Sequence, residues 1–416
     1  MLDTSYVRLL SSSQKIAEWY QEVKENYEGE FWQDTDKFFK GLLKTLMEIT
    51  MEEEVVVYTG TEWHKKSEER IDYRNGFRYR NFLTKHGWID DIKVPRLRKT
   101  RFRTKVFKNY QRRQAAVDQA LRDVFLAGVS TRRVGEALSC LLDASISATT
   151  VSNVTKVLDQ KVKEYQNKLL LDEYQYLILD GINLKVRLSS GYKKRAVLVA
   201  YGITCFGFRE IISFRQVGRE SKTKWMAFLE DLRRRGLEGK NLKLITIDGH
   251  KGLISAADEV YPFIPIQRCW AHKLRNVVNY LPKKHQKQCS FEAALIYNAS
   301  NKLEATKQFR LWKTKWYRVS KDAVYCLEKD LDTMLNFFAC PEEHRIKVRT
   351  TNVIERSFRE VRRRARTMSC FTNEASCDRI MYAVFNHLNS HWKERPLKNF
   401  NQFNGNLKKD NYTLFA

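Results

Sequence analysis

One carboxylate lies inside a segment that is otherwise suited to a buried strand. Residues 176–188 are apolar at successive positions up to Ile182 and then alternate apolar with polar residues, which predicts a long strand. Asp180 shares its face with Ile178 and Ile182, where an unpaired carboxylate is costly to bury. Either a fixed cation neutralises Asp180, or Asp180 faces a cleft that holds a metal ion.

A second aspartate follows a later apolar strand. Before it, the pattern predicts an antiparallel meander and then a helix, over residues 176–188, 195–204, 209–217 and 222–235. The next strand, residues 242–249, presents Asp248 at its carboxyl end. If this strand lies parallel to the first, Asp180 and Asp248 are neighbours. Adjacent carboxylates raise each other's pKa unless a divalent cation lies between them, and paired metal ions catalyse phosphoryl transfer.

The third carboxylate expected at such a site is Glu355. It lies in a segment with an apolar stripe at helical spacing, formed by Ile354, Phe358, Val361, Ala365 and Met368. Four arginines share the face of Glu355: Arg359, Arg362, Arg363 and Arg366. A glutamate among arginines usually belongs to a structural ion-pair helix. The two strand-borne aspartates favour the other interpretation, in which Glu355 binds metal and the arginines hold phosphates.

The charge of the chain indicates the class of partner. The 416 residues contain 75 Lys and Arg against 49 Asp and Glu, a formal charge of +26. Such an excess repels itself in a compact protein and is typical of a chain that binds a polyanion, here a nucleic acid. A solvated basic surface is the alternative, and it suits a few surplus charges better than this many.

The sequence shows no targeting signal. The first ten residues lack a cationic region followed by an apolar one, and no apolar run reaches the roughly 18 residues of a membrane span. The eight cysteines show no CxxC spacing and are expected to be reduced thiols. We therefore expect a cytoplasmic protein without a membrane partner.

The first 110 residues divide into two segments of different composition. Residues 1–60 are predicted to form a helical segment that serves DNA binding or dimerisation, and the sequence does not separate these two roles. Residues 61–110 combine dense arginine with short alternating runs and turn glycines, which predicts a small basic β element. Nothing in the pattern fixes a geometry for reading bases, so its arginines are expected to contact phosphates. These arginines are Arg74, Arg78, Arg96 and Arg98.

Residues 111–170 carry the pattern of a helix-turn-helix. Helical runs are predicted over residues 117–126, 130–142 and 148–158. Gly128 ends the first run, and a turn at 143–147 precedes the third. An ordinary helical hairpin is the alternative, and the basic charge of the chain favours DNA binding. The residues expected to contact DNA are Arg132, Arg133, Thr149, Thr150, Ser152 and Asn153.

These motifs and their order resemble the Mutator-like family of bacterial insertion-sequence transposases. The resemblance covers about residues 70–390 and is carried by RNGFR (74–78), VPRLR (94–98), GVSTRRV (128–134), LDG (179–181), RAVLV (195–199), DGH (248–250), QRCWAH (267–272) and NVIER (352–356). It implies an α/β catalytic core with an RNase H-like mixed sheet flanked by helices, preceded by mainly helical N-terminal DNA-binding domains. The core would comprise residues 171–280 and 350–395, interrupted by an all-helical insertion at 281–349 and followed by a C-terminal tail at 396–416.

The resemblance also implies an activity. Asp180, Asp248 and Glu355 would form an Asp-Asp-Glu triad that holds two Mg²⁺ ions, for which Mn²⁺ could substitute. The protein would bind the terminal inverted repeats of its element in double-stranded DNA, cleave there and join the freed 3′-hydroxyl to another strand. A homodimer or higher oligomer is expected because two ends must be paired. Arginines beside Glu355 would contact DNA: Arg356, Arg359, Arg362, Arg363 and Arg366.

Two other functional classes remain open on the sequence. An inactive or domesticated relative would act as a sequence-specific DNA-binding protein, and the intact triad argues against it. A structure-specific nuclease with an RNase H-like fold would also use three carboxylates, but it would lack a preference for end sequences. For the transposase we expect a cytoplasmic, nucleoid-associated protein.

Cys269 and His272 form the family's Cys-x-x-His motif directly after a strand predicted over 263–266. With His285 and Cys289 the spacing resembles a zinc ligand set. Zinc is not expected, since His285 follows a proline and two lysines and suits a solvated loop. We favour a structural role, in which Cys269 and His272 brace the join between sheet and insertion near the active site.

Overall fold

The computed structural model describes residues 31–400 apart from 66 and 143, with the side chains of that range except those of residues 31–34, 140 and 141. Its contacts divide the chain into two compact units, one ending at Thr155 and one beginning at Lys156. Residues 1–30 of the predicted N-terminal segment and 401–416 of the predicted tail lie outside this range. Among the described helices, none combines the length and apolar character needed to cross a bilayer.

The first unit is built on a β-hairpin that packs against a long helix. Helix α1 (Phe31–Thr59) contacts the second of two antiparallel strands, β1 (Arg74–Thr84) and β2 (Gly87–Leu97). Gly87 closes the tight turn with a φ of 101°, a conformation that costs little only for glycine. A small apolar core joins hairpin and helix and includes Met51, Phe82, Ile89, Ile92, Val94 and Phe107. The hairpin lies within the segment predicted as a basic β element.

The described part of the first unit contains three further helices: α2 (Ala115–Leu126), α3 (Thr131–Leu142) and α4 (Ala148–Thr155). Helix α3 contacts α4 and also lies close to the turn between them, where a Cβ on Gly135 would collide with the carbonyl oxygen of Ile146. The hydroxyl of Ser147 accepts a hydrogen bond from the backbone N–H of Thr150 at 3.2 Å and so caps α4. The helices that the sequence predicts before and after the turn at 143–147 are therefore present.

The boundary between the units falls inside the predicted segment 111–170. The sequence predicts one helix over 148–158, but α4 ends at Thr155 and a new helix, α5 (Val157–Asn167), belongs to the second unit. Arg379 donates two hydrogen bonds to the carboxylate of Asp159, at 2.6 and 2.7 Å. Long-range contacts of this kind attach α5 to the second unit, and a periodic pattern does not reveal them.

The second unit contains a mixed five-stranded sheet. Its strands are β3 (Tyr174–Leu188), β4 (Gly191–Thr204), β5 (Arg209–Val217), β6 (Leu244–Ile247) and β7 (Ile266–Arg268), in the spatial order β5-β4-β3-β6-β7. Strands β3, β4 and β5 form antiparallel pairs, and β3 pairs in parallel with β6. The predicted meander and the predicted parallel pairing of the two aspartate-bearing strands are both confirmed.

The last strand lies later than predicted. The sequence predicts a strand over 263–266, but β7 begins at Ile266. Phe263 is 93% exposed, and Pro265 has no N–H to donate to a strand ladder. Only the carbonyl of Pro265 joins the sheet edge, where it accepts a hydrogen bond from the backbone N–H of Ile245 at 3.0 Å.

Helices flank the sheet and fill the predicted insertion. Helices α6 (Lys222–Arg234) and α7 (Lys251–Val260) bury an apolar cluster against the sheet. Helix α8 (Trp270–Val278) follows β7 and leads into the insertion 281–349, where every described element is helical: α9 (Lys283–Tyr297), α10 (Lys302–Tyr317), α11 (Lys321–Glu328), α12 (Leu331–Met334), a 3₁₀ helix (Asn336–Ala339) and α13 (Glu342–Val348). Helices α14 (Asn352–Met368) and α15 (Glu374–Lys393) then return to the sheet.

Candidate active site

Asp180 lies in the middle of β3 and is 4% exposed. Its carboxylate accepts a hydrogen bond from the backbone N–H of Gly181 at 2.8 Å. Burial raises the pKa of Asp180 well above its usual range, and Asp248 and Glu355 raise it further. Within the described part of the chain, no lysine or arginine forms an ion pair with Asp180. The structure therefore gives the fixed-cation alternative no support.

Asp248 follows directly from β6. In the parallel ladder Leu179 pairs with Ile247, so Asp180 and Asp248 are the next residues of neighbouring strands. The backbone N–H of His250 donates a hydrogen bond to Oδ1 of Asp248 at 2.9 Å and fixes the turn after the strand. The structure thus places the two aspartates side by side, as their strands predict.

Glu355 approaches the aspartates from the first turn of α14. Ile354 and Phe358 are buried, so the predicted apolar stripe packs inward and α14 contacts β3. One ligand atom each from Asp180, His272 and Glu355 lie within 4.8 Å of one another. No other group of three or more acidic, histidine or cysteine side chains has this spacing among the described residues.

Two basic side chains contact Glu355. The exposed Arg275 of α8 forms an ion pair with Oε1, and His272 Nε2 lies 3.3 Å from the same oxygen. Burial lowers the pKa of His272 and Arg275 lowers it further, while Glu355 acts in the opposite direction. A lowered pKa favours the neutral imidazole at neutral pH, the form that coordinates metal ions.

Cys269 and His272 meet at Thr351, where the insertion returns to the core. The backbone N–H of Thr351 donates to Cys269 Sγ at 3.2 Å, and its Oγ1 lies 3.2 Å from His272 Nδ1. Cys269 is fully buried, and burial raises the pKa of its thiol. These contacts fix the start of α14 and so the position of Glu355. The location is the one expected for a structural brace, a role that stays a prediction.

His285 and Cys289, the other two residues of the possible zinc set, lie in α9. The His285 ring packs edge-on against Trp316 with centroids 6.1 Å apart, and the indole of Trp312 donates to the carbonyl of Cys289 at 3.4 Å. Burial raises the pKa of the Cys289 thiol to about 11. Trp312 and Trp316 are 3% and 1% exposed and therefore belong to the core of the insertion.

A fourth carboxylate, which the sequence does not predict, borders this site. Oε1 of Glu220, just before α6, would lie 2.5 Å from a Cβ on Gly181. Burial raises the pKa of Glu220, and Asp248 raises it further. The indole of Trp225 lowers this pKa, although its N–H lies outside hydrogen-bond geometry. The signal in the sequence is the glycine after Asp180, because a strand glycine often marks a close approach.

A basic cavity of about 690 Å³ is lined in part by the residues that directly precede Glu220 in the chain. It is lined by Asn183, Lys193, Lys194, Arg195, Gly218 and Arg219. Arg195 also forms an ion pair with Glu374, whereas Lys193 and Lys194 are exposed. The sequence does not reveal this cationic surface, because its residues come from three separate strands or strand ends.

The arginines predicted to contact DNA on α14 all lie on its exposed side: Arg356, Arg359, Arg362, Arg363 and Arg366. Arg363 donates to the carboxylate of Glu360, with the closer nitrogen at 3.1 Å. The pairs that hold Arg363 are exposed and therefore weak, so the guanidinium remains available for a phosphate.

The residues predicted to contact DNA in the first unit differ in exposure. Seven are exposed: Arg78, Arg96, Arg98, Arg132, Arg133, Thr149 and Asn153. Thr150 and Ser152 are half-buried, and the N–H of Thr150 is used to cap α4. Arg74 is turned toward the protein, where it donates to the carbonyl of Thr61 at 3.0 Å and lies over the ring of Trp63.

The sequence of the whole chain matches one known family. A family model described as "Transposase, Mutator family" covers residues 15–395. The chain belongs to the Mutator family of transposases. The resemblance drawn from the motifs is thereby confirmed, together with the general function that it implied.

Several relatives of this transposase are themselves named as transposases. The transposase for insertion sequence element ISRM5 of Rhizobium meliloti (strain 1021) is 34% identical over 353 residues, which span 85% of this chain and 88% of the relative. The transposase for IS256 in transposon Tn4001 of Staphylococcus aureus is 33% identical over 362 residues, 86% of this chain and 91% of the relative. The transposase for IS406 of Burkholderia multivorans is 34% identical over 338 residues, which span 80% of this chain and 86% of the relative.

Proposed function

We propose that this Mutator-family transposase binds the terminal inverted repeats of an insertion sequence and cleaves DNA there in a Mg²⁺-dependent reaction. It then joins the freed 3′-hydroxyl to another strand, with Asp180, Asp248 and Glu355 as the catalytic residues. Asp180 carries this proposal, because it is buried among carboxylates and no lysine or arginine in the described part of the chain pairs with it. A charge in that position is costly unless a bound cation compensates it.

The donor set fits the divalent ions of phosphoryl-transfer enzymes. Carboxylate oxygens are the ligands that Mg²⁺ prefers, and Asp180 and Glu355 bring such oxygens within 4.8 Å of each other. Mn²⁺ would also accept the imidazole of His272, the third member of this group. Asp248 lies outside the group and would complete the donor set from the neighbouring strand. When bound, a pair of ions supplies an activated attacking oxygen and a stabilised leaving oxygen. The ladder that pairs Leu179 with Ile247 holds the backbones of Asp180 and Asp248 on neighbouring strands.

Glu355 is positioned by the residues around it. Thr351 and His272 hold the start of α14 and the carboxylate, so Glu355 turns toward Asp180 before any substrate arrives. Arg275 pairs with the same carboxylate from the exposed side of α8. A metal ion held by Glu355 would leave Arg275 free to hold a phosphate next to the reacting strand.

The basic surfaces of the second unit suit the DNA backbone. Lys193, Lys194 and Arg219 line the cavity next to Glu220, and the arginines of α14 extend from Glu355 along the exposed face. Cationic side chains on both sides of the carboxylates would hold the strand in place by its phosphates. Because two transposon ends are paired in one reaction, we propose that the protein acts as a homodimer or higher oligomer.

Cleavage of DNA carrying the element's own ends tests this function. The purified protein is incubated with end-bearing or scrambled DNA, with Mg²⁺ or with a chelator, and strand products are separated by electrophoresis. We expect cleavage only of end-bearing DNA with Mg²⁺. Asp180→Asn, Asp248→Asn and Glu355→Gln are expected to lose cleavage and joining while still binding ends.

Asp258→Asn is the matched control, since Asp258 is an exposed acid on α7 of the same unit. It is expected to cleave like the unchanged protein. Strand transfer that survives in any of the three active-site variants would remove that residue from the catalytic group. Cleavage without preference for the ends would instead indicate a structure-specific nuclease.

A further inference from the structure

A second basic cavity lies in the first unit, beside the β-hairpin. It has a volume of about 410 Å³ and is lined by both strands and by the segment 101–112. Six of its lining side chains are lysine or arginine, five are aromatic, and none is acidic. We refer to this cavity as the hairpin pocket.

The cations of the hairpin pocket lie close to one another. Arg80 is fixed in place, because it donates to the carbonyl of Gln111 and lies 4.2 Å from the ring centroid of Phe107. Burial lowers the pKa of Arg80, and Arg78 and Arg112 lower it further. Like charges that the fold holds together in this way attract an anion such as phosphate.

Two tyrosines at the pocket expose most of their surface. Tyr79 is 62% exposed and Tyr110 is 86% exposed. Tyr110 also has a φ of 60°, a left-handed conformation that is unfavourable for a residue with a side chain. Burial of the Tyr110 ring does not offset this cost. Exposed aromatic rings beside cations are the platforms on which unpaired nucleic-acid bases stack.

The backbone just before the segment that lines the pocket is held by hydrogen bonds to Asp72. Asp72 is fully buried and accepts hydrogen bonds from the backbone N–H groups of Lys99 and Thr100, at 2.9 and 2.8 Å. Arg101 and Arg103 follow immediately and line the pocket. The pocket is therefore part of the folded hairpin and does not depend on a ligand for its shape.

We propose that the hairpin pocket binds one unpaired nucleotide of DNA, with the base stacked on Tyr79 and Tyr110 and the phosphate held by Arg78 and Arg112. Its volume lies in the range of about 300–1,000 Å³ found for small-ligand sites, which suits a single nucleotide. In a duplex the faces of each base are covered by its neighbours, so a duplex would engage the cations alone. The choice of DNA rests on the proposed function, and the pocket adds a site for a frayed or cleaved end.

Binding of the full-length protein to three fluorescent DNAs tests the pocket. They are a blunt duplex, the same duplex with a short single-stranded overhang, and a short oligothymidylate, each followed by anisotropy. The double variant Tyr79→Ala, Tyr110→Ala is expected to bind the overhang and the oligothymidylate about 5–150-fold more weakly. Binding of the blunt duplex is expected to stay unchanged.

Matched variants separate stacking from charge and from misfolding. Tyr79→Phe, Tyr110→Phe keeps both rings and is expected to bind every DNA like the unchanged protein. Tyr325→Ala removes a ring that is 66% exposed in the second unit, and it is expected to have no effect. Arg78→Gln and Arg112→Gln are each expected to lower the slope of log Kd against log salt on single strands by about 0.7, whereas the tyrosine variants leave that slope unchanged.

Two results would overturn the proposed role of the hairpin pocket. The double variant Tyr79→Ala, Tyr110→Ala could lose affinity equally for the blunt and the overhanging duplex, or it could bind the oligothymidylate as tightly as the unchanged protein. The proposed function fails separately. Asp180→Asn is expected to lose cleavage and to retain full binding of the overhang. If the unchanged protein does not cleave its ends, the catalytic proposal falls, and the oligothymidylate measurement still decides the role of the pocket.

Discussion

Asp72 in the first unit and Asp180 in the second are almost equally inaccessible, at 0% and 4% exposure. Their surroundings differ. Asp72 accepts hydrogen bonds from three backbone N–H groups and a hydroxyl, which belong to Tyr73, Lys99 and Thr100. Asp180 accepts one, from its neighbour Gly181. Two buried charges of the same type are thus satisfied to very different degrees.

The pKa values of the two carboxyl groups shift in opposite directions. Burial by itself would raise the pKa of Asp72, but the hydrogen bonds from Thr100, Lys99 and Tyr73 outweigh it and hold the pKa well below its usual range. For Asp180, burial and the nearby Asp248 raise the pKa, and a single hydrogen bond does not compensate. Burial alone therefore does not distinguish a structural acid from a functional one, whereas the number of hydrogen-bond donors does.

The largest effect is expected when the charge of Asp180 is removed. Asp180→Asn should reduce single-turnover cleavage by about 10³-fold or more, since a bound metal ion stabilises such a transition state by several kcal/mol. The same variant should be more stable than the unchanged protein in a chelator, because an uncompensated buried charge disappears. Hydrogen exchange of the β3 amides measures this local stability. Slower exchange is expected in Asp180→Asn and no change in the control Asp258→Asn, and faster exchange in Asp180→Asn would contradict the idea of an unsatisfied charge.

The opposite result is expected at Asp72. An amide nitrogen in Asp72→Asn cannot accept the hydrogen bonds that a carboxylate oxygen accepts, so we expect the hairpin to lose about 3 kcal/mol of stability. Faster hydrogen exchange in β1 and β2 reports the loss. Asp90→Asn is the control, because Asp90 is exposed on the same hairpin. If both variants exchange alike, the hydrogen bonds to Asp72 do not hold the hairpin.

The pH dependence of stability should also differ in sign between the two aspartates. Asp72 has a lowered pKa in the folded protein, so its contribution is present above the pKa of about 4 of the unfolded chain and is lost as the pH falls below it. Asp180 has a raised pKa, so its charge lowers stability progressively as the pH rises above about 4. Each group changes the stability by at most about 1.4 kcal/mol per pH unit. Hydrogen exchange is measured as a function of pH for the unchanged protein and for each asparagine variant, and the difference isolates the contribution of that aspartate. If the two differences change with pH in the same direction, the opposite signs expected for Asp72 and Asp180 are wrong.

Much of the core could be predicted because its signals are local. The apolar alternation of β3 and the placement of Asp248 after a buried strand predict the parallel pair, and the stripe on α14 predicts which face packs inward. The bounds of β7 could not be predicted, since the apolar run before it includes Pro265 and an exposed Phe263. Helix α5 falls in the second unit although the sequence predicts one helix up to residue 158, because its attachment depends on Arg379, more than 200 residues away.

The parts of the site that the sequence missed come from distant segments. Glu220 carries no recognisable motif, and its position becomes evident only when the backbone of Gly181 is seen beside it. The hairpin pocket has the same origin, because Tyr79 and Tyr110 are brought together by a strand and a loop. Periodicity reports which face of one element is buried, and it does not report which side chains of separate elements converge.

Glu220 is the intermediate case between Asp72 and Asp180, and it gives the smallest predicted effect. It is half-buried, its pKa is raised by burial and by Asp248, and His250 and the indole of Trp225 lower that pKa only in part. Glu220→Gln keeps the size of the side chain against Gly181 and removes one negative charge from the site. Mg²⁺ affinity should fall by about tenfold, which corresponds to about 1.4 kcal/mol of lost attraction.

The measurement for Glu220 is the rise in melting temperature with added Mg²⁺, which reports metal binding without depending on catalysis. Glu230→Gln is the matched control, since Glu230 is exposed on α6 a few turns away. In the chelator, the melting temperature of Glu220→Gln should lie slightly above that of the unchanged protein. This change has the same direction as the change in stability expected for Asp180→Asn and the opposite direction to that expected for Asp72→Asn. A variant that melts lower in the chelator but keeps its Mg²⁺ affinity would place Glu220 with Asp72, as a carboxylate that supports the fold and does not contribute to metal binding.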